Sequence, residues 1–283
     1  MSNSVLTHSE KRKQNIAIAI MIIFVLPIVF MFVVFFGMAF FTPQGEPTLS
    51  NFRFVYKEMP LRDQTTIAPI GHAFMNSIIF TLCVTCSEVV ISLLAGYALS
   101  RLRFRGRKTI QTSLLVLRMF PTLLLLIAVL YVLMALGIVN TLLGVVLVAL
   151  SFRLPGSTFI IRNFFDGIPR DIENSTLVDG CTRFGAFRQV IIFMIKPGIT
   201  SIAVFSFLSA WSNFILFNTL LFGNRTPVIA TYIRALSRSE QMIASFNVVA
   251  AMGIIYMLPV IIFFIISQKQ LMKGDMGSGK GVS

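Results

Sequence analysis

The chain has 283 residues, of which 56% are hydrophobic and 12% are charged, against roughly 25% charged residues in a typical soluble domain. This composition excludes an ordinary soluble globular protein and predicts a membrane protein. The net charge of +13 is typical of some nucleic-acid-binding proteins, but here Lys and Arg collect in alternate connections between apolar segments. The positive-inside rule expects that pattern of the cytoplasmic face of a membrane protein, so no nucleic-acid partner is predicted.

Six apolar segments reach about 20 residues, the length that spans the hydrocarbon core of a bilayer. In chain order they are residues 15–41, 73–100, 108–136, 141–161, 187–222 and 248–267. The fifth exceeds one span, so we expect it to include a tilt or a helical extension. The basic tails and an even number of spans predict that both termini are cytoplasmic. We therefore predict one transmembrane domain over residues 15–267, with cytoplasmic tails at 1–14 and 268–283.

A polar segment that is able to form a helix, residues 168–184, separates the fourth and fifth apolar segments. Pro169 suits the first turn of a helix, and Gly180 suits its end. Asp171 and Glu173 lie near the positive end of the helix dipole, where acidic groups are stabilising. A charged, amphipathic helix between two spans presents a surface either to a soluble partner or to the membrane interface. The residues alone leave both alternatives open.

Residue sets that could support catalysis or bind a metal are scarce. The chain has two histidines, His8 and His72, which are too far apart in the sequence to form a cluster, and no Ser-His-Asp set is apparent. Residues 274–281 nearly match a phosphate-binding loop, but Gly281 stands where a Ser or Thr would hold magnesium, and an apolar helix precedes the segment instead of a strand. We therefore predict that this chain is not an enzyme and holds no cofactor or metal.

Several groups of residues occur in the order in which they occur in one family of membrane proteins. Residues 169–180 match the flanks of that family's EAA loop, with Asn174, Ser175 and Thr176 where Glu-Ala-Ala is usual. The other matches are Asn76-Ser77, residues 95–107, 119–121, 137–140, 211–214 and 268–274. From about residue 74 to residue 281, the chain resembles the inner-membrane permease of type I ATP-binding-cassette (ABC) importers, in the carbohydrate branch.

The resemblance implies an all-α polytopic membrane protein with six transmembrane helices, in which residues 168–184 form a cytoplasmic coupling helix. It implies a multi-pass protein of the bacterial inner membrane. The partners implied are a second permease subunit, two ATPase subunits that bind ATP and Mg, and an external solute-binding protein that delivers a sugar or oligosaccharide. The residues implied in coupling to the ATPase are Asp171, Glu173, Asn174, Asp179, Gly180, Arg183 and Phe184. Because Asn174 replaces the usual Glu, a salt bridge of that Glu would need Glu173 as a substitute.

Four residues within the apolar segments are candidates for the substrate path. A charge inside a span is costly unless it faces a partner or a wet cavity. Arg118 and Arg153 therefore either line the path and bind sugar hydroxyls, or snorkel or pair with backbone carbonyls or another subunit. Trp211 and Asn213 suit stacking and hydrogen bonding to a sugar ring, although Trp211 could equally pack between helices. Glu88 is the obvious ion-pair candidate for the arginines within this chain.

Two other functions stay open at this point. A carrier driven by an ion gradient would need a membrane-buried proton or sodium site, for which Glu88 is the candidate residue. The alternative within the same family is an ABC permease for a solute that is not a sugar.

Overall fold

The computed structural model describes residues 8–60, 66–222, 226–237 and 246–278. The ends of both predicted tails, residues 1–7 and 279–283, lie outside the described residues. The helices are α1 (His8–Phe40), α2 (Gly71–Arg101), α3 (Arg107–Leu117), α4 (Thr122–Ala135), α5 (Leu142–Asp166), α6 (Arg170–Val178), α7 (Arg183–Ala186), α8 (Ile192–Met194), α9 (Lys196–Trp211), α10 (Phe214–Leu220), α11 (Ile229–Ser237) and α12 (Phe246–Ser278). A 3-10 helix at Ser50–Val55, a π-helical turn at Phe187–Ile191 and a hairpin of two-residue strands, β1 (Met59–Pro60) and β2 (Thr66–Ile67), complete the described elements.

Four of the described helices are long and apolar enough to cross a membrane: Arg12–Phe40, α2, α5 and Phe246–Gln268. Two bent pairs raise this to six if each pair is one broken span: α3 with α4, bent by 106°, and Arg183–Met194 with α9, bent by 73°. The described residues therefore contain four to six candidate spans, and six is the number expected from the apolar segments.

The third apolar segment, residues 108–136, forms two helices instead of one. The helix stops at Leu117 and restarts at Thr122. Pro121 accounts for the break, because proline lacks a backbone N–H and pushes the residue before it out of the α region. In the fifth segment, Pro197 lies in the first turn of α9 and marks the bend there. The sequence predicted a tilt or a helical extension in this segment. The structure has a bend before α9 and a separate short helix, α10, after it.

The chain divides into two compact units, residues 1–69 with 236–256 and residues 70–235 with 257–283. In the first unit, the amide nitrogen of Asn51 donates hydrogen bonds to the carbonyls of Ala39 and Phe41, both at 3.0 Å, and so fixes the end of α1. The apolar side chains in the first two-thirds of α1 are exposed. That surface suits a helix in contact with lipid or with another subunit.

The second unit is built around α2, which packs against α5 and α9. The buried face of α2 carries small or polar residues every three or four positions: Ser77, Thr81, Thr85, Glu88, Ser92, Gly96 and Ser100. Small residues let membrane helices approach closely. At Gly96 the approach is so close that an added Cβ would lie 2.5 Å from Cγ2 of Ile161. This seam holds α2 and α5 together along their length and brings Glu88 inside the bundle.

Candidate functional sites: a short polar helix and a buried ion pair

The short polar helix α6 begins and ends at the expected residues. It starts at Arg170, directly after Pro169, and ends at Val178. The backbone N–H of Gly180 donates to the carbonyl of Leu177 and that of Cys181 donates to Thr176, both at 3.1 Å. These two bonds form a Schellman motif, which requires a left-handed residue after the helix. Gly180 supplies it, with φ of +88°.

Glu173 lies on the inner face of α6 and is 8% exposed. Its Oε1 accepts a hydrogen bond of 2.7 Å from the Tyr97 hydroxyl, and its Oε2 lies 3.2 Å from Nε of Arg101, an ion pair whose N–H is not aligned as a hydrogen bond. Arg101 also donates from Nη2 to the carbonyls of Phe165 at 2.9 Å and Ile168 at 2.8 Å. Glu173 thus anchors α6 to the ends of α2 and α5 instead of offering a charge to a partner.

The other six residues of the predicted coupling set are exposed: Asp171, Asn174, Asp179, Gly180, Arg183 and Phe184. Two large apolar side chains are exposed on the same surface, Val178 at 86% exposed and Phe184 at 67%. These two side chains add apolar area to an otherwise polar surface. Val178 was not predicted from the sequence, although it directly precedes the predicted Asp179. We call these six exposed residues together with Val178 the α6 surface.

A basic cavity of about 400 Å³ opens beside α6. It is lined by Arg101, Arg103, Arg170, Glu173, Asn174, Leu177 and Arg183. Only one of these side chains is acidic, and that carboxylate is already paired with Arg101. The inner side of the α6 region is therefore strongly positive.

The second candidate site is an ion pair between Glu88 of α2 and Arg153 of α5. Nε of Arg153 lies 2.6 Å from Oε2 of Glu88, which is 3% exposed. The hydroxyls of Ser157 and Ser206 donate to the same carboxylate at 2.6 Å and 2.7 Å. Glu88 is therefore satisfied from α5 and α9 at once, and the predicted ion pair is confirmed. Neither serine was predicted from the sequence.

The remaining nitrogens of Arg153 reach α9. Nη2 donates to the carbonyl of Phe205 at 3.2 Å, and Nη1 donates to the hydroxyl of Ser209. Arg153 thus bridges three helices with donors that point in three directions. This planar, forked geometry is particular to arginine.

Arg118 lies at the break between α3 and α4, and its side chain is exposed. Its guanidinium group stands over α5: a Cβ added at Gly156 would be 3.6 Å from Nε of Arg118. Arg118, Arg153 and Glu88 line one cavity of about 260 Å³, together with Phe152, Gly156, Ser157, Ile160, Ile202 and Phe205. Both predicted arginines, Arg118 and Arg153, therefore line the same cavity.

Trp211 and Asn213 do not join that cavity. Trp211 is 3% exposed, and its ring is stacked parallel to Phe207 with an edge contact to Phe74. Asn213 accepts a hydrogen bond of 3.2 Å from the backbone N–H of Leu216 and so caps α10. Of the two alternatives for Trp211, stacking on a sugar ring or packing between helices, the structure shows packing between helices.

The profile of the family described as "Binding-protein-dependent transport system inner membrane component" matches residues 88–274, from Glu88 to the described part of α12. The chain belongs to this family. The match includes the ion pair, the cavity and the whole of α6, so both candidate sites lie in the part of this permease that the family shares. The chain is therefore a multi-pass membrane protein that belongs to a transport system.

Relatives of this permease are named for carbohydrate transport. The sulfoquinovosyl glycerol transport system permease protein SmoH of Agrobacterium fabrum is 30% identical over 82% of this chain and 78% of its own length. The trehalose transport system permease protein SugB of Mycobacterium tuberculosis is 31% identical over 74% of this chain and 77% of its own length.

A solved structure has the same fold as this permease. It is a chain of a bacterial ABC transporter involved in the import of the acidic polysaccharide alginate, and it superposes with a TM-score of 0.75 at 18% sequence identity. The superposition covers 94% of this permease and 99% of that chain. The ABC importer permease fold implied by the resemblance is confirmed.

Proposed function

We propose that this permease forms half of the channel of an ATP-driven importer that moves a sugar or oligosaccharide from an external binding protein into the cytoplasm. The other half is a second permease subunit, and two ATPase subunits that hold ATP and Mg supply the energy. Both termini and α6 face the cytoplasm, consistent with the basic connections. The chain itself performs no chemistry. The carbohydrate substrate is supported by the names of relatives such as SmoH and SugB.

The α6 surface is the observation that carries this proposal. It is a short, rigidly ended helix with exposed Val178 and Phe184, and it is the natural contact for an ATPase subunit. Glu173, Tyr97 and Arg101 tie it to α2 and to the end of α5. A displacement of α6 is therefore passed to those two spans instead of being absorbed by a flexible loop.

The buried ion pair extends this connection across the membrane. On α2, Glu88 is about 20 Å from Arg101 at about 1.5 Å per residue. Because the Glu88–Arg153 pair and the close contact at Gly96 join α2 to α5, the two helices move together when α6 moves. Alternating access then follows from rocking of this pair of helices against the partner permease.

Copurification tests the assembly that this function requires. An affinity tag on this chain, expressed with its neighbouring transport genes, is expected to retain one second permease and two ATPase copies. The α6 surface, which includes exposed Val178 and Phe184, has nothing in its own chain to dock against, so the chain alone is expected to be unstable or inactive. A monodisperse chain that transports a sugar without other subunits would contradict the proposal.

A further inference from the structure

The cavity between Arg118 and Arg153 lies deep in the membrane-spanning part of the second unit. Gly156, which faces Arg118, is about 15 Å from one end of α5 and about 21 Å from the other, at about 1.5 Å per residue. The hydrocarbon core is about 30 Å thick. Both arginines therefore stand near the middle of the bilayer, where an ionised side chain marks a functional site.

The charges around this cavity do not cancel. Glu88 neutralises Arg153, and its two oxygens are occupied by Arg153, Ser157 and Ser206. The side chain of Arg118 makes no hydrogen bond or ion pair with any of the residues that the structure describes. Two arginines and one glutamate leave the cavity with one positive charge. That charge sits on the exposed guanidinium group of Arg118.

An anion satisfies this arrangement better than a neutral sugar does. Hydroxyl groups can accept hydrogen bonds from Arg118, but they leave its charge uncompensated at a depth where water is scarce. A single carboxylate or sulfonate cancels the one excess charge, and its charge-assisted hydrogen bonds to Arg118 are stronger than those of a neutral hydroxyl. A doubly charged phosphate would leave a negative excess instead.

The size and lining of the cavity restrict the ligand further. Its volume of about 260 Å³ is below the range of about 300–1,000 Å³ that is usual for drug-sized ligands. It has room for one sugar residue. Phe152 and Phe205 add apolar faces against which the C–H face of a sugar ring can pack.

We propose that the Arg118 side of this cavity binds the carboxylate or sulfonate group of an acidic sugar residue in transit. Arg153 is held by Glu88 and shapes the cavity, while Arg118 supplies the free charge. This inference rests on the proposed function, because it requires that the solute carried is a saccharide.

The first test uses the external binding protein of this importer to identify which saccharide the importer carries. The rise in the melting temperature of the binding protein is measured with three matched pairs of an acidic and a neutral saccharide. The pairs are cellobiouronate and cellobiose, digalacturonate and galactobiose, and 6-deoxy-6-sulfoglucose and glucose. We expect stabilisation by an acidic member at concentrations at least tenfold lower than by its neutral counterpart. Stabilisation by the neutral members, or by none of the six, overturns the inference.

The second test is uptake of that acidic saccharide by the complete importer in proteoliposomes. Arg118→Gln is expected to lower uptake at least tenfold, while Arg118→Lys, which keeps the charge, retains at least a third of it. Arg105→Gln removes one positive charge from the exposed connection between α2 and α3 and serves as the matched control, with uptake unchanged. Equal uptake by Arg118→Gln and the wild type overturns the inference.

Three further outcomes separate the possible failures. If Arg118→Gln lowers the melting temperature of the complex or releases the second permease, Arg118 pairs with a carboxylate of that subunit, and the inference is overturned. If ATP drives uptake of a neutral saccharide and Arg118→Gln has no effect, the proposed function stands and only this inference fails. If the wild-type importer takes up no saccharide at all, the proposed function fails first.

Discussion

Replacing Arg153 by lysine is expected to reduce transport by the assembled importer at least tenfold. Arg153 donates to Glu88, Ser209 and the carbonyl of Phe205 from three different nitrogens. A lysine ammonium is a point charge on a flexible stem and cannot reproduce this fork. Each lost hydrogen bond to a charged group is worth about 1.5–3 kcal/mol, and about 1.4 kcal/mol corresponds to tenfold.

Arg118→Lys is the matched control for this experiment. Arg118 lines the same cavity at a similar depth but makes none of these bonds with the described residues, so its charge matters more than its shape. The measurement is the initial uptake rate of both variants, with the melting temperature of each complex recorded alongside. Equal, near-normal rates for the two variants would show that Arg153 has no special role.

Replacing Gly180 by valine is expected to abolish the stimulation of ATP hydrolysis by loaded binding protein while sparing insertion into the membrane. Gly180 has φ of +88°, a conformation that is a genuine outlier for a β-branched residue. No described atom of this chain lies within 4 Å of an added Cβ, so within the chain the effect comes from the backbone. A strained backbone of this kind costs about 1–3 kcal/mol, enough to displace the end of α6.

Gly180→Asn provides the control for backbone conformation. Asparagine tolerates the left-handed region far better than valine, and it is the usual alternative to glycine after a helix. We expect Gly180→Asn to keep most of the stimulation, measured as ATPase activity with and without loaded binding protein. If both variants behave like the wild type, the end of α6 is not where the signal passes.

The sequence predicted the parts of the fold that depend on local signals. The apolar segments gave the spans because burial in lipid needs long runs of apolar residues. Pro169 and Gly180 gave the ends of α6 because each has a backbone preference that acts within a few residues.

Features that depend on tertiary contacts were not predictable in this way. The inward direction of Glu173 is set by Tyr97 and Arg101, more than 70 residues earlier in the chain. Ser157 and Ser206 become partners of Glu88 only when α5 and α9 pack against α2. The break near Arg118 lies within an apolar segment that looks continuous by composition.

One signal in the sequence does mark that break. Pro121 stands inside the third apolar segment, and an interior proline commonly kinks or ends a helix. The apolar residues on both sides of Pro121 nevertheless favour a single apolar segment by composition. The positions of Arg118 and Arg153 relative to one another followed only from the structure.

ATP dependence of uptake distinguishes an ABC importer from a carrier driven by an ion gradient. The complete importer is reconstituted in proteoliposomes with loaded binding protein outside, and saccharide uptake is compared with ATP or ADP enclosed and with ion gradients collapsed by ionophores. We predict uptake with ATP alone, unaffected by the ionophores, and persisting, though weakened, in Glu88→Gln. Uptake that ignores ATP, disappears with the ion gradient and is lost in Glu88→Gln would show a carrier driven by ions and would contradict the account.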